Sequence, residues 1–224
     1  MQNIPFLFKY KSLNADGFKY AQDIFINRRI YLPKASDLND PNEGVAEIQI
    51  KNMYRYWGNQ IEERNRSSTR IFSLTENNKS ALMWSHYADN QKGICIKFNL
   101  EWFANDKTKI LGAVKYLSEP IKVPHNEMSN HFNIFLNKES SWQYEKEWRI
   151  ISTNENRFIT IPKNTIQAIY LGPRFDNSNL EWVQYWANYC GSNSPIPIIK
   201  MAYASTQYEL FEENELLGKI PRLS

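Results

Sequence analysis

Trp142-Gln143-Tyr144-Glu145-Lys146-Glu147-Trp148-Arg149-Ile150-Ile151 is the stretch on which the reading of this chain turns. Two carboxylates, a guanidinium, two indoles and a phenol lie within eight residues, and an apolar pair follows. If residues 145–151 are extended, successive side chains alternate between faces. Glu145, Glu147, Arg149 and Ile151 then share one face, and Lys146, Trp148 and Ile150 the other. A strand that buries Trp148 and Ile150 has little reason to line its second face with Glu, Glu and Arg unless a site lies there. The alternative is a helical turn pairing Glu145 with Arg149 at i,i+4, worth roughly 0.2–0.5 kcal/mol. Trp148, Ile150 and Ile151 favour the strand.

Working outward, the apolar pattern predicts short strands at 5–10, 29–32, 69–75, 94–98, 110–116, 165–171 and 196–201. Helical spacing predicts helices after an Asn14 or Asp16 cap, at 53–66, 79–89, 128–137 and 180–189. In the 79–89 helix, Ala81, Leu82, Trp84, Ser85 and Ala88 form the expected buried side; Asn90-Gln91-Lys92-Gly93 supplies the stop, with Gly93 placed to cap its end. Ile94, Ile96 and Phe98 alternate with Cys95 and Lys97, as in a half-buried strand. Strands and helices mix without regular βαβ alternation, which favours an α+β fold with a mixed or mostly antiparallel sheet flanked by helices. No internal repeat or linker interrupts 1–224, so a single domain is expected.

The bulk numbers narrow the function classes. A hydrophobic share of 42% supplies a core, and a net charge of +3 is too small to argue for nucleic acid or membrane. No apolar run approaches the roughly 18 residues of a membrane span. Cys95 and Cys190 lie far apart and read as two reduced thiols of a cytoplasmic protein. The three histidines, His86, His125 and His131, lack a ligand spacing, so no metal site is expected. Dinucleotide, phosphate-loop and nucleophile-elbow motifs are absent.

What remains is a set of polar and aromatic residues at element ends: Lys9, Tyr10, Asn39, Asp40, Glu43, Ser73, Trp84, His86, Tyr87, Glu145, Glu147 and Arg149. Lys9-Tyr10, Asn39-Asp40-Pro41-Asn42-Glu43, Phe72-Ser73-Leu74-Thr75, Met83-Trp84-Ser85-His86-Tyr87-Ala88 with Gly93, Trp142 to Arg149 and Ala168-Ile169-Tyr170-Leu171-Gly172 occur in this order. Together they resemble the bacterial domain-of-unknown-function family 2971 over about residues 6–175, leaving a helix and strand in 176–224. The family carries no assigned chemistry.

A second resemblance does. Mono-ADP-ribosyltransferases of the arginine–serine–glutamate type use a basic residue on an early strand, a Ser-Thr-Ser strand and Glu-x-Glu leading into a strand. The similar pieces here are Lys9 or Arg29, Ser73-Leu74-Thr75, and Glu145-Lys146-Glu147. The resemblance implies NAD as the donor and Glu147 as the carboxylate that stabilises a cationic transition state. It implies Glu145 as the residue that orients an acceptor. His86 joins these two as a candidate for chemistry; Lys9, Tyr10, Asn39, Asp40, Glu43, Ser73, Trp84, Tyr87 and Arg149 are expected to bind substrate. The competing expectation is a non-catalytic domain for a nucleotide or small anion, with Arg149 holding the anion and the rings stacking a base. Asp40 and Glu43 are expected to approach the Glu147 strand from about 100 residues away.

Overall fold

The computed structural model describes residues 6–49, 63–105, 109–124, 132–152, 156–192, 194–203 and 210–216. Its first half contains β1 (Leu7–Lys11), α1 (Ala15–Ile26), β2 (Arg29–Tyr31), β3 (Ala46–Gln49), β4 (Arg70–Thr75), α2 (Ala81–Tyr87) and β5 (Ile94–Phe98). There follow β6 (Ile110–Ala113), β7 (Lys115–Leu117), β8 (Ile121–Pro124), β9 (Asn137–Glu139) and β10 (Glu147–Ser152). The chain ends with β11 (Phe158–Thr160), β12 (Ile166–Leu171), α3 (Leu180–Cys190), β13 (Ile198–Tyr203) and β14 (Leu210–Leu216). This is an α+β fold whose large sheet is mixed and mostly antiparallel. The chain divides into two compact units, each built from separated stretches.

Unit 1 comprises Met1–Ile30, Leu74–Trp102 and Thr160–Ser224. Its strands run in the order β14-β13-β12-β5-β1, antiparallel except for the β12–β13 pair. That parallel pair brackets α3, the crossover such a connection requires. Asn14 caps α1 by accepting from the Gly17 amide at 2.9 Å, as its position predicts. The Phe25 and Trp186 rings stack at 5.0 Å, joining α1 to α3. Cys95 is fully buried, as are Ile94 and Ile96, so both faces of β5 are covered rather than one.

Two details of α2 differ from the sequence expectation. Leu82 is 52% exposed, and the buried side is made by Met83, Trp84 and Ala88. The helix is stopped by three consecutive left-handed residues, Asp89, Asn90 and Gln91, with φ of 50°, 50° and 73°. Gly93 also closes this end, its amide donating to the Ala88 carbonyl at 2.8 Å, and it serves close packing: a Cβ there would lie 2.2 Å from the Lys11 carbonyl oxygen.

Unit 2 comprises Tyr31–Ser73 and Phe103–Ile159. It holds the Arg70–Ser73 part of β4, then β10 and β6, with β10 and β6 antiparallel and Arg149 opposite Gly112. Two small parallel pairs, β3–β8 and β7–β9, complete it. Ala35, Ile71, Phe135 and Ile151 form one cluster of its core, with Leu38, Ile110, Phe132 and Leu136 packed around them. The expected 128–137 helix is not formed where it is described. Residues 132–136 are 3-10 and Asn137 begins β9. Four apolar residues fall within five positions there, too dense for one helical stripe. Most of the expected 53–66 helix, and residues 128–131, lie outside the described residues; 63–68 are helical.

Candidate functional site

A 3-10 helix, Ser140–Glu145, leads into β10, and Lys146 closes it with φ of 44° in the left-handed region. Glu145 is therefore not the first residue of the strand. The turn at Lys146 nonetheless leaves it buried, and Lys138 bonds both Glu145 and Glu147. Glu147 and Arg149 share one strand face, as alternation requires. The i,i+4 pairing of Glu145 with Arg149 is not the arrangement found.

Arg149 is fully buried. Its Nε donates to Glu147 Oε1 at 2.8 Å and its Nη2 to Glu147 Oε2 at 2.9 Å. Nη1 and Nη2 donate to the two Glu43 oxygens at 2.5 and 2.8 Å. Nη1 also donates to the Phe135 carbonyl at 2.6 Å. A guanidinium has five N–H groups, and these bonds use all of them. Both carboxylates are gripped by paired, charge-assisted bonds, the strongest kind available.

Glu43 reaches this network because its turn is built to aim it. Asp40 Oδ1 accepts from the Asn42 amide at 2.9 Å, and the Asp40 carbonyl accepts from Glu43 N at 3.1 Å. Gly44 follows with φ of 69°, and a Cβ there would lie 2.4 Å from the Phe135 ring. Glycine meets both demands, a left-handed backbone and an aromatic ring against it. The turn-forming residues Asp40, Pro41, Asn42 and Gly44 thus deliver one carboxylate to Arg149. Asp40 is itself buried, whereas Asn39 is exposed.

Lys138 is the second cation. Its Nζ lies 2.6 Å from Glu145 Oε2, 3.3 Å from Glu147 Oε2 and 4.4 Å from the centre of the Trp142 ring. The Ser73 side chain hydrogen-bonds Glu147. The Glu147 amide donates to Tyr116 Oη at 2.7 Å, fixing the start of the strand. Lys138, Tyr116 and the Phe135 carbonyl were not foreseen from sequence. Lys138 directly follows the expected 128–137 helix, and no sequence pattern ties it to Glu145 seven residues on.

The electrostatics divide the two carboxylates on Arg149. Burial pushes Glu147 up, but Arg149, Lys138 and Ser73 outweigh it and bring its pKa down to about 2. Burial also dominates at Glu43 and wins there, because Arg149 is its principal counter-charge and Glu147 repels it; its pKa is raised. Burial opposes the charge on Arg149, yet Glu147 and Glu43 hold its pKa above the ordinary value. Burial raises the Tyr116 phenol.

These directions fix a pH dependence. Glu147, with its folded pKa depressed, contributes stability that is present above the unfolded value of about 4.3. That stability is lost as pH falls through about 2. Glu43 has the opposite sign: its contribution is present below about 4.3 and lost as pH rises through its raised folded value. The difference in urea midpoint between the wild type and Glu147→Gln should therefore narrow as pH falls from about 4.3 towards about 2. A difference that stays constant across that window would show that Glu147 is not held ionised.

The remaining candidate residues belong to unit 1. Tyr10 is buried, donates its hydroxyl to the Asn77 carbonyl at 2.7 Å and meets Trp84 edge-on at 5.0 Å. Trp84 Nε1 donates to the Asn78 carbonyl at 2.8 Å, so both rings serve this unit's packing. Lys9 is half-buried on β1. His86 is exposed and lies edge-on to Tyr87, with ring centres 6.1 Å apart. Among the described residues, no group of three or more His, Cys, Asp or Glu side chains is arranged to hold a metal ion. No described helix is long and apolar enough to cross a membrane.

Residues 83–150 match the family described as Protein of unknown function (DUF2971), and over this stretch the chain resembles that family. The match includes the Trp-Ser-His-Tyr helix and the Glu-x-Glu-Trp-Arg segment. The Lys9-Tyr10, Asn39–Glu43, Phe72–Thr75 and Ala168–Gly172 motifs lie outside the matched residues. No curated protein and no solved structure matches the chain.

Proposed function

We propose that the chain transfers an ADP-ribosyl or related glycosyl group from NAD, with Glu147 as the carboxylate that stabilises the developing positive charge. The observation that carries this reading is the bracing of Glu147: ionised in a buried setting, gripped by Arg149 and hydrogen-bonded by Ser73. A fixed negative charge in a low-dielectric site needs no reorganisation when a cationic transition state forms. A general acid would need its pKa shifted the other way.

The acceptor sites of Glu147 fit a sugar hydroxyl if one bond is exchanged. The Lys138 contact at 3.3 Å is the longest of them, and Lys138 keeps Glu145 at 2.6 Å when it is given up. Glu147 would then accept the hydroxyl, and Glu145 would orient the acceptor. NAD supplies a glycosyl carbon with nicotinamide as the leaving group. Arg149 and Ser73 position the carboxylate, and Glu43 positions Arg149. A cytoplasmic setting suits two thiols that are free and buried.

A second reading, a non-catalytic domain for a nucleotide or small anion, draws on the enclosure of the same group. The Glu147 side chain is 5% exposed, and Arg149 has no donor left for a ligand. In that reading the network braces a binding surface, and the anion is held elsewhere. Incubation of the whole chain with NAD separates the two. Release of nicotinamide is expected under the first reading, calorimetric binding without release under the second. Neither release nor binding removes NAD from both.

A further inference from the structure

A buried charge is ordinarily paired or fully hydrogen-bonded. Arg149 meets that rule with five donated bonds. Arg70, at the first position of β4, does not. It is 8% exposed, yet its guanidinium makes one bond among the described residues, from Nη1 to the Leu32 carbonyl at 3.4 Å. No described carboxylate pairs with it. Its remaining nitrogens are not among the enclosed, unbonded polar atoms of the described residues, so they open to the surface. The stem is covered and the donors face out.

The residue opposite Arg70 is another cation. Lys34 and Arg70 are partners in an isolated antiparallel bridge, which puts their side chains on one face with Cβ atoms about 4.5–5.5 Å apart. Their chain neighbours Ala35 and Ile71 pack together on the other face. Lys34 is half-buried, and no described residue bonds its ammonium. Like charges directly opposite destabilise a strand pair, and a counter-charge between them removes that cost. A third cation is tied to the same place: the Arg157 carbonyl accepts from the Leu32 amide at 2.8 Å. Arg66 stands in the 63–68 helix that leads into β4. The described acids nearest in sequence, Asp37 and Glu63, are exposed and pair with none of these cations; Asp37 takes the Ser36 hydroxyl at 3.2 Å. All of these residues belong to unit 2.

We infer that Arg70 and Lys34 hold the phosphate group of a small phosphorylated ligand. The guanidinium fork offers paired donors to two phosphate oxygens, and the ammonium adds a point charge at a third. Two facing cations balance a phosphate that carries nearly two negative charges, whereas a carboxylate leaves one of them uncompensated. Arg157 and Arg66 add to the field that draws an anion in. Free phosphate and the phosphate of a nucleotide share this chemistry. On β4, Ser73 takes the Ile71 face and bonds Glu147, so Arg70 lies on the face turned away from the Glu147–Arg149 network. The inference therefore stands whether or not Glu147 is catalytic.

The test is calorimetric titration of the whole chain with inorganic phosphate, with AMP, and with acetate as the monoanion. Saturable phosphate binding is expected, weakening as salt is raised. Acetate should bind about 10-fold more weakly, and Lys34→Gln and Arg70→Lys should each weaken phosphate about 10-fold, the scale of one charge-assisted hydrogen bond. AMP bound more tightly than phosphate supports a nucleotide as the source; AMP bound equally or more weakly supports the free ion. Lys34→Glu decides the matter even if Arg70→Lys does not fold. It offers Arg70 a carboxylate from across the bridge, so the variant should melt above the wild type and lose phosphate binding. No saturable phosphate binding, acetate bound as tightly, unchanged affinity in Lys34→Gln, or a Lys34→Glu variant that melts below the wild type would each overturn the assignment.

Discussion

Arg149→Ala is expected to destabilise unit 2 by about 3–5 kcal/mol, the cost of removing one partner from a buried ionic cluster. Most of that cost comes from what is left behind. Glu43 and Glu147 lose the paired bonds at 2.5–2.9 Å that compensate their desolvation, and the Phe135 carbonyl loses its donor. Arg149→Lys should recover little, because three donors on a flexible stem cannot reproduce five in a planar fork. Replacing Arg149, Glu43 and Glu147 together by apolar residues of similar volume should cost less than Arg149→Ala alone, since no orphaned charge remains. Urea denaturation of the three variants decides it. An Arg149→Ala loss below about 1 kcal/mol would mean that water reaches the cluster and that it behaves as a surface pair.

The second large effect concerns turnover. Glu147→Gln keeps the shape of the side chain and removes its charge, so nicotinamide release should fall by at least roughly 10²-fold, the scale for one electrostatic group at a developing charge. The amide also places an N–H₂ group against a cation, so some stability is lost, on the order of 1–3 kcal/mol for an unsatisfied buried group. Turnover must therefore be compared below the melting transition of the variant. Full activity in Glu147→Gln would remove Glu147 from the chemistry. Loss of activity with complete unfolding would make the Glu147–Arg149 pair a structural element.

Particular residues show what could be read from the chain and what could not. The placement of Glu147 and Arg149 on one strand face followed from period-two alternation, because β10 is regular from its first residue. Asn14 capping and the β12 and α3 segments were legible for the same reason: each depends on neighbours in sequence. Glu43 was legible through the turn chemistry of Asp40-Pro41-Asn42 and its place just past a strand, although the sequence could not say that its partner is Arg149. Lys138 was not, since its role depends on β9 pairing with β7 across 22 residues. The stop of α2 was legible in Asn90-Gln91-Lys92-Gly93, but not the left-handed backbone of Asp89, Asn90 and Gln91, since three such residues in succession have no simple composition signal. Leu210–Leu216 escaped notice as a strand because its Glu-Glu-Asn-Glu content reads as a solvated face until Tyr203 and Ala202 are found beside Leu210 and Phe211.

The two cysteines acquire a use from where they lie. Cys95, on β5, and Cys190, at the end of α3, are free, buried and both in unit 1, whereas unit 2 has none. A thiol reagent added to the native protein is therefore silent until β5 or the α3 terminus opens, locally or with the whole chain, and its incorporation at each cysteine reports that opening. The chain carries its own stopwatch for one of its two units, with no label to introduce and no residue to change.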